Sequence, residues 1–147
     1  MTAGSSPQGV ASPQGVASPQ GVASPQGVVE RDLMVRARDG VGLATDVYRP
    51  FGAGRFPVLL ERTPYGKSAP SRSERTAAIA APRSRAEVAQ YFMGHGYAVV
   101  YQDCRGRYRS GGHFTKYLSE AEDGYDTLAW LVAQPWCNGR IGTFGLS

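Results

Sequence analysis

The chain has 147 residues, of which 41% are hydrophobic and 19% are charged, and its formal net charge is +4. This composition is typical of a globular protein, and no apolar run approaches the roughly 18 residues that a membrane-spanning helix requires. The N-terminus has neither a basic leader nor an apolar segment of the secretory type. We therefore expect a cytoplasmic protein that does not associate with membranes.

The positive charge is concentrated in one stretch of the chain. Its cations are Lys67, Arg72, Arg75, Arg83 and Arg85. No aromatic residue lies among them, whereas nucleic-acid-binding surfaces interleave cations with aromatic rings. We interpret the stretch as a solvated loop and expect no nucleic-acid partner. Cys104 and Cys137 are far apart and the two histidines lack ligand spacing, so we expect no metal and no other cofactor.

Residues 1–29 form a low-complexity segment in which the unit Ser-Pro-Gln-Gly-Val recurs between Ser6 and Val28. In each unit proline fixes φ and glycine frees it. One valine per unit cannot bury enough apolar area to offset the entropy lost on ordering. The pattern predicts a disordered tail at 1–29, followed by one domain at 30–147.

The folded part begins with a predicted β-hairpin. Alternating side chains precede and follow the turn at Asp39-Gly40, namely Leu33, Val35 and Ala37, then Leu43, Thr45 and Val47. The short apolar runs 58–60 and 97–101 are typical of strands buried on both faces.

Two helices are predicted from capping-box spacing and helical periodicity. Ser84 and Glu87 begin a helix over 85–93, which ends before two glycines. Ser119 and Glu122 begin a second helix, which Pro135 ends. Its expected apolar face consists of Ala121, Tyr125, Leu128, Ala129 and Val132.

The order of elements indicates an α/β fold: a leading hairpin, then a mostly parallel sheet with helices on its faces. Ligands bind beyond the carboxyl ends of the strands in such sheets. Three segments follow predicted strands and are expected to meet there: 63–65, 103–106 and 145–147.

Two short stretches of the chain resemble functional motifs. Gly145-Leu146-Ser147 gives the first three positions of the Gly-x-Ser-x-Gly nucleophile turn, although an ordinary serine after a strand has the same pattern. Gly66-Lys67-Ser68 resembles part of a phosphate-binding loop. Its spacing is wrong because position 61 is glutamate and Pro64 removes a backbone amide, so a nucleotide-binding module is a distant alternative.

Longer motifs resemble one family. The segments 120–127, 134–139 and 142–147, together with 63–67 and 103–112, are similar to the cocaine-esterase and X-prolyl dipeptidyl-peptidase family. The resemblance covers roughly residues 30–147. It implies the N-terminal portion of an α/β-hydrolase fold and a small-molecule ester or acyl-peptide substrate, with X-Pro peptides among the possibilities.

The resemblance also implies roles for individual residues. Ser147 would be the nucleophile that forms an acyl-enzyme, and the Tyr65 hydroxyl would be an oxyanion donor. A half-buried loop aromatic is the alternative for Tyr65. Asp103 and Arg105 are expected to form a structural ion pair or to brace loops, and not to be catalysts.

The acid and the base of a triad follow the serine in this fold, so His95 and His113 are expected to be surface or loop residues. Residues 1–147 alone are accordingly expected to be inactive. A non-catalytic remnant is the alternative.

Overall fold

The computed structural model describes residues 22–24, 26–71, 78 and 81–146. Within these ranges the chain forms one six-stranded sheet and two helices. The strands are β1 (Val22–Ser24), β2 (Gly27–Arg36), β3 (Gly42–Pro50), β4 (Phe56–Thr63), β5 (Ala98–Asp103) and β6 (Cys137–Thr143), and the helices are α1 (Arg85–Met93) and α2 (Glu120–Val132). Neither described helix is long and apolar enough to cross a membrane.

The sheet is mixed, with the strand order β1-β2-β3-β5-β4-β6. The strands β5, β4 and β6 run parallel to one another, and the other neighbouring pairs are antiparallel. The predicted α/β fold class is confirmed, and so are the hairpin, the two buried strands and the two helices. The parallel part of the sheet is limited to three strands. The leading hairpin belongs to the same sheet, because its strand β3 pairs with β5 in the antiparallel direction.

Regular secondary structure begins earlier in the chain than the sequence predicted. Residues 1–21 and 25 lie outside the described part, but 22–24 and 27–29 are strands rather than the expected disordered tail. Val29 pairs with Tyr48 and is buried against the core. A single repeat unit in isolation cannot offset its ordering entropy, but the last unit extends a neighbouring strand and gains backbone hydrogen bonds from it.

Helices cover both faces of the sheet, so β5 is buried along its whole length. On one face Val58, Leu60 and Val100 pack with Leu131 of α2. On the other face Val99 and Tyr101 pack with α1 and Tyr48. Each fully buried aliphatic side chain stabilises the fold by about 1.5–3 kcal/mol. This double layer gives the carboxyl ends of β4 and β5 a fixed position.

The helix α1 begins as predicted. The Ser84 hydroxyl accepts a hydrogen bond from the Glu87 amide, while the Glu87 carboxylate accepts one from the Ser84 amide. This reciprocal pair satisfies two amides that the first turn leaves without helical partners. The Ser84 hydroxyl and the Ser84 amide both donate to the Glu87 carboxylate, and these hydrogen bonds lower the pKa of Glu87.

The helix α2 occupies its predicted range, but its cap and buried face differ from the prediction. Ser119 makes no capping hydrogen bond through its side chain. The buried residues of the helix are Asp123, Thr127 and Leu131, whereas the predicted apolar face is exposed except for half-buried Leu128. The prediction was wrong because polar partners decide the orientation: the Thr127 hydroxyl donates to the Gln102 side chain of β5.

Candidate active site

The ends of three adjacent strands meet at one edge of the sheet. Thr63 at the end of β4 is in register with Asp103 at the end of β5. On the other side of β4, the Phe144 amide after β6 donates to the Leu60 carbonyl at 3.1 Å. The predicted convergence is confirmed as far as residue 146. Ser147 lies outside the described residues.

Gly145, two residues before Ser147, has an unusual backbone conformation. Gly145 has a φ of 137°, a conformation that side chains with a Cβ rarely adopt. A Cβ there would lie 3.2 Å from Cγ of Glu61 on β4. The chain after β6 therefore passes close against β4, and the absence of a side chain at position 145 permits this.

Tyr65 lies on the loop after β4 and is 58% exposed. Its amide donates to the Thr63 hydroxyl, which turns the chain at the strand end. Within the described part of the chain its hydroxyl makes no hydrogen bond, so it can donate to another group. Arg107 holds this loop, because its Nε donates a hydrogen bond to the Pro64 carbonyl at 3.0 Å.

Lys67 also holds the loop that carries Tyr65. Its Nζ lies 2.6 Å from an Asp32 oxygen and 2.7 Å from an Asp46 oxygen, and its amide donates to Asp103. Burial favours a lower pKa for Lys67, but the two carboxylates outweigh burial and the pKa is raised. Asp32 reaches this position from a bulge in β2. The ammonium is thus occupied, which argues against the phosphate-binding alternative.

Arg85, at the start of α1, forms a second buried ion pair. Its Nη2 lies 2.6 Å from the Glu61 carboxylate, and its Nη1 donates to the carbonyls of Gly66 and Ala69. Lys67 and Arg85 are only 3% and 6% exposed. The prediction that these cations lie on a solvated loop is therefore wrong for Lys67 and Arg85. Arg72 and Arg75 lie outside the described residues.

Asp103 and Arg105 brace loops, as expected, but they do so with different partners. Asp103 accepts from the amides of Lys67 and Arg109, and its burial raises its pKa. Arg105 lies 2.6 Å from both Asp123 and Asp39, and these hydrogen bonds raise its pKa. His95 and His113 are exposed, as predicted.

The segment after β5 folds back on itself. Gly106 has a φ of 64°, and a Cβ at this position would overlap the backbone nitrogen of Phe114. The buried Ser110 hydroxyl donates to the Asp103 carbonyl and accepts from the Ala44 amide. This segment is therefore tied to the end of β5 and to β3.

A cavity of about 360 Å³ opens between the Tyr65 loop and the segment after β5. Its lining includes Tyr65, Cys104, Arg107, Phe114, Lys116 and Tyr117. Burial raises the pKa of the Cys104 thiol to about 12, so the thiol is neutral at physiological pH. The cavity places apolar and cationic groups next to the candidate oxyanion donor.

Sequence reasoning missed the buried ion pairs and the cavity. Asp46 interrupts a run of buried residues on β3, which was the available signal for a buried cationic partner. Nothing in the local pattern indicated which cation that would be.

Comparison with known proteins places these features in one family. The model of the X-Pro dipeptidyl-peptidase (S15) family matches residues 39–147. Cocaine esterase from Rhodococcus sp. (strain MB1 Bresler) is 41% identical over 119 residues, which cover 81% of this chain and 19% of the esterase.

Solved structures agree with this assignment. An alpha-amino acid ester hydrolase is 31% identical with a TM-score of 0.64, over 90% of this chain and 23% of the hydrolase. A CocE/NonD family hydrolase from Staphylococcus aureus is 30% identical with a TM-score of 0.67, over 81% of this chain and 23% of that protein. The chain spans about a fifth of the length of the matched esterase. It forms the N-terminal portion of an α/β-hydrolase fold and belongs to the X-Pro dipeptidyl-peptidase (S15) family.

Proposed function

We propose that this chain supplies the nucleophile and one oxyanion donor of a serine hydrolase that cleaves ester or acyl-peptide bonds. The Ser147 Oγ attacks the carbonyl carbon while a base from outside residues 1–147 removes its proton. The leaving alcohol or amine departs with a proton, and water then releases the acid from the acyl-enzyme. The Tyr65 hydroxyl donates to the oxygen that becomes negative in each tetrahedral intermediate.

The observation that carries this proposal is the relation between β4 and β6. These two strands are parallel neighbours, one leading to Tyr65 and the other to Gly145 and Ser147. The Tyr65 loop is held by Arg85, Arg107 and Lys67, while the Tyr65 hydroxyl is left without a described partner. A hydroxyl donor on an anchored loop next to the expected nucleophile turn is the arrangement that acyl transfer requires.

The test joins this chain to the segment of cocaine esterase that follows the matched region, which gives a complete hydrolase chimaera. We expect Ser147→Ala to abolish hydrolysis of para-nitrophenyl acetate. We expect Tyr65→Phe to lower kcat by about 10²–10³, the usual effect of losing one oxyanion donor. Tyr125→Phe is the matched control because Tyr125 is an exposed tyrosine on α2, and its rate should not change.

A folded chimaera with no Ser147-dependent turnover would contradict the proposed function. An unchanged rate for Tyr65→Phe would reject only the oxyanion role. Residues 1–147 alone are expected to be inactive, since members of a triad act as a unit. Ser147-dependent turnover by that chain would disprove this expectation.

A further inference from the structure

The cavity beside Tyr65 carries an excess of positive charge. Its charged lining residues are three cations, Arg62, Arg107 and Lys116, and one anion, Glu120. Arg62 neutralises Glu120, because Nη1 and the carboxylate lie 2.8 Å apart. Two positive charges therefore remain without a carboxylate partner in the described part of the chain.

Aromatic rings, rather than anions, surround these two cations. The Arg107 guanidinium carbon lies 5.1 Å from the Phe114 ring centroid and 5.5 Å from that of Tyr108. The Lys116 Nζ lies 4.9 Å from the Tyr117 ring centroid. Cation–π contacts hold a cation in place without cancelling its charge. Arg107 and Lys116 can therefore still attract an anion.

Apolar groups form the rest of the cavity wall. Phe114 and Tyr117 contribute rings, Pro64 contributes its pyrrolidine ring, and the Cys104 thiol is neutral. Apolar pockets with a few charged groups fix the orientation of a ligand through those groups. The combination suits a ligand with an apolar body and a terminal anion.

We propose that this cavity binds a carboxylate-bearing, apolar part of the substrate, so that the enzyme prefers anionic esters to neutral ones. The inference rests on the proposed hydrolase function, since Tyr65 borders both the cavity and the reacting carbonyl. Arg107 and Lys116 would each donate to the substrate carboxylate. They are specificity residues and take no part in bond cleavage.

Binding can be measured on residues 1–147 without any catalysis. The probes are phenylbutyrate and its uncharged amide, titrated against the chain and followed by amide NMR shifts. We expect phenylbutyrate to bind about 10-fold more tightly, because it forms two partly exposed ion pairs that the amide cannot form. The largest shifts should fall in the Tyr65 loop and in the segment 104–118.

The variants separate this site from general attraction to a basic protein. Lys116→Gln is expected to weaken phenylbutyrate binding about 2- to 5-fold and to leave binding of the amide unchanged. Arg140→Gln removes an exposed cation on β6 and is the matched control, with no expected effect. Equal affinity for the two probes, no binding of either, or equal losses in both variants would each overturn the proposal.

Kinetics of the chimaera provide an independent measurement. Two ester pairs are compared, one with the carboxylate in the acyl group and one with it in the leaving alcohol, each against the counterpart in which a primary amide replaces the carboxylate. We expect the carboxylate-bearing ester to have a higher kcat/KM than its neutral counterpart in at least one pair. Lys116→Gln should remove this difference by raising the KM of the carboxylate-bearing ester. Turnover without any such preference would overturn the cavity assignment and leave the hydrolase function intact. No turnover with retained phenylbutyrate binding would contradict the hydrolase function alone.

Discussion

Two pairs of cations lie around the carboxyl ends of β4 and β5, and they differ in burial and in whether a carboxylate neutralises them. The buried cations, Lys67 and Arg85, each contact a carboxylate within 2.7 Å. The cavity cations, Arg107 and Lys116, contact aromatic rings and have no described carboxylate partner. The first pair holds the Tyr65 loop through buried ion pairs. Arg107 also holds this loop, through the Pro64 carbonyl, but Arg107 and Lys116 keep an unpaired positive charge that can bind a ligand. Charge alone does not distinguish these roles, whereas burial and partners do.

The largest expected effect is the loss of a buried cation. Lys67→Met leaves the Asp46 carboxylate, whose side chain is 2% exposed, without its closest counter-charge. Arg31, the remaining cation beside Asp46 at 3.4 Å, has a side chain that is 55% exposed and compensates this buried charge only weakly. We expect the free energy of unfolding of residues 1–147 to fall by about 3 kcal/mol in urea titrations, because a poorly compensated buried charge is unfavourable.

Lys116→Met is the matched control, since it removes the same side chain from an exposed position. Its expected effect is within about 0.5 kcal/mol. Similar losses in the two variants would show that the buried and cavity cations do not differ in the way the structure indicates.

A smaller effect is expected for the coupling between Glu61 and Arg85. Each single substitution, Glu61→Leu or Arg85→Met, leaves one buried charge behind, whereas the double variant leaves none. The double variant should therefore be more stable than the sum of the single effects predicts, by about 1–3 kcal/mol. Additive losses in urea unfolding would mean that Arg85 acts mainly through the carbonyls of Gly66 and Ala69.

The ionisation of the Cys104 thiol reports whether water is excluded from the buried side of the cavity. Its ordinary pKa is 9.0 and burial raises it to about 12 in the folded chain. Below pH 9 the thiol is protonated in both states, so its contribution to stability is complete. Between pH 9 and pH 12 only the unfolded state ionises, and stability falls.

We expect the free energy of unfolding to fall more steeply over this range than it does in Cys104→Ala. A thiol reagent at pH 8 should react with Cys104 slowly in buffer and rapidly in urea. Equal slopes for the two proteins, together with rapid native labelling, would contradict a buried neutral thiol.

Local signals predicted the elements of the fold more successfully than their packing. The helix α1 has its predicted bounds because Ser84 and Glu87 lie in the first turn and need no distant partner. The orientation of α2 depends on Gln102 and Arg105, which lie on other parts of the chain. A hydrophobic pattern within the helix does not contain that information.

The candidate site shows the same division. The positions of Tyr65 and Gly145 after their strands follow from the sequence order, since parallel strands end at the same edge. The burial of Lys67 depends on Asp32 and Asp46, which lie 35 and 21 residues away. The sequence order therefore predicts that Tyr65 and Gly145 lie at the same edge of the sheet, but it does not identify the side chains that hold the Tyr65 loop.

The smallest expected effect concerns a cation that contacts the Lys67 network from outside. Arg109 lies 3.1 Å from Asp32, but its side chain is 71% exposed. Arg109→Met should lower the free energy of unfolding by less than about 1 kcal/mol, because exposed ion pairs are screened by water and ions. The loss should shrink further in 1 M sodium chloride, whereas the loss caused by Lys67→Met should persist. A large effect of Arg109→Met that is insensitive to salt would mean that the ion pair is shielded from water and that the network extends to the surface.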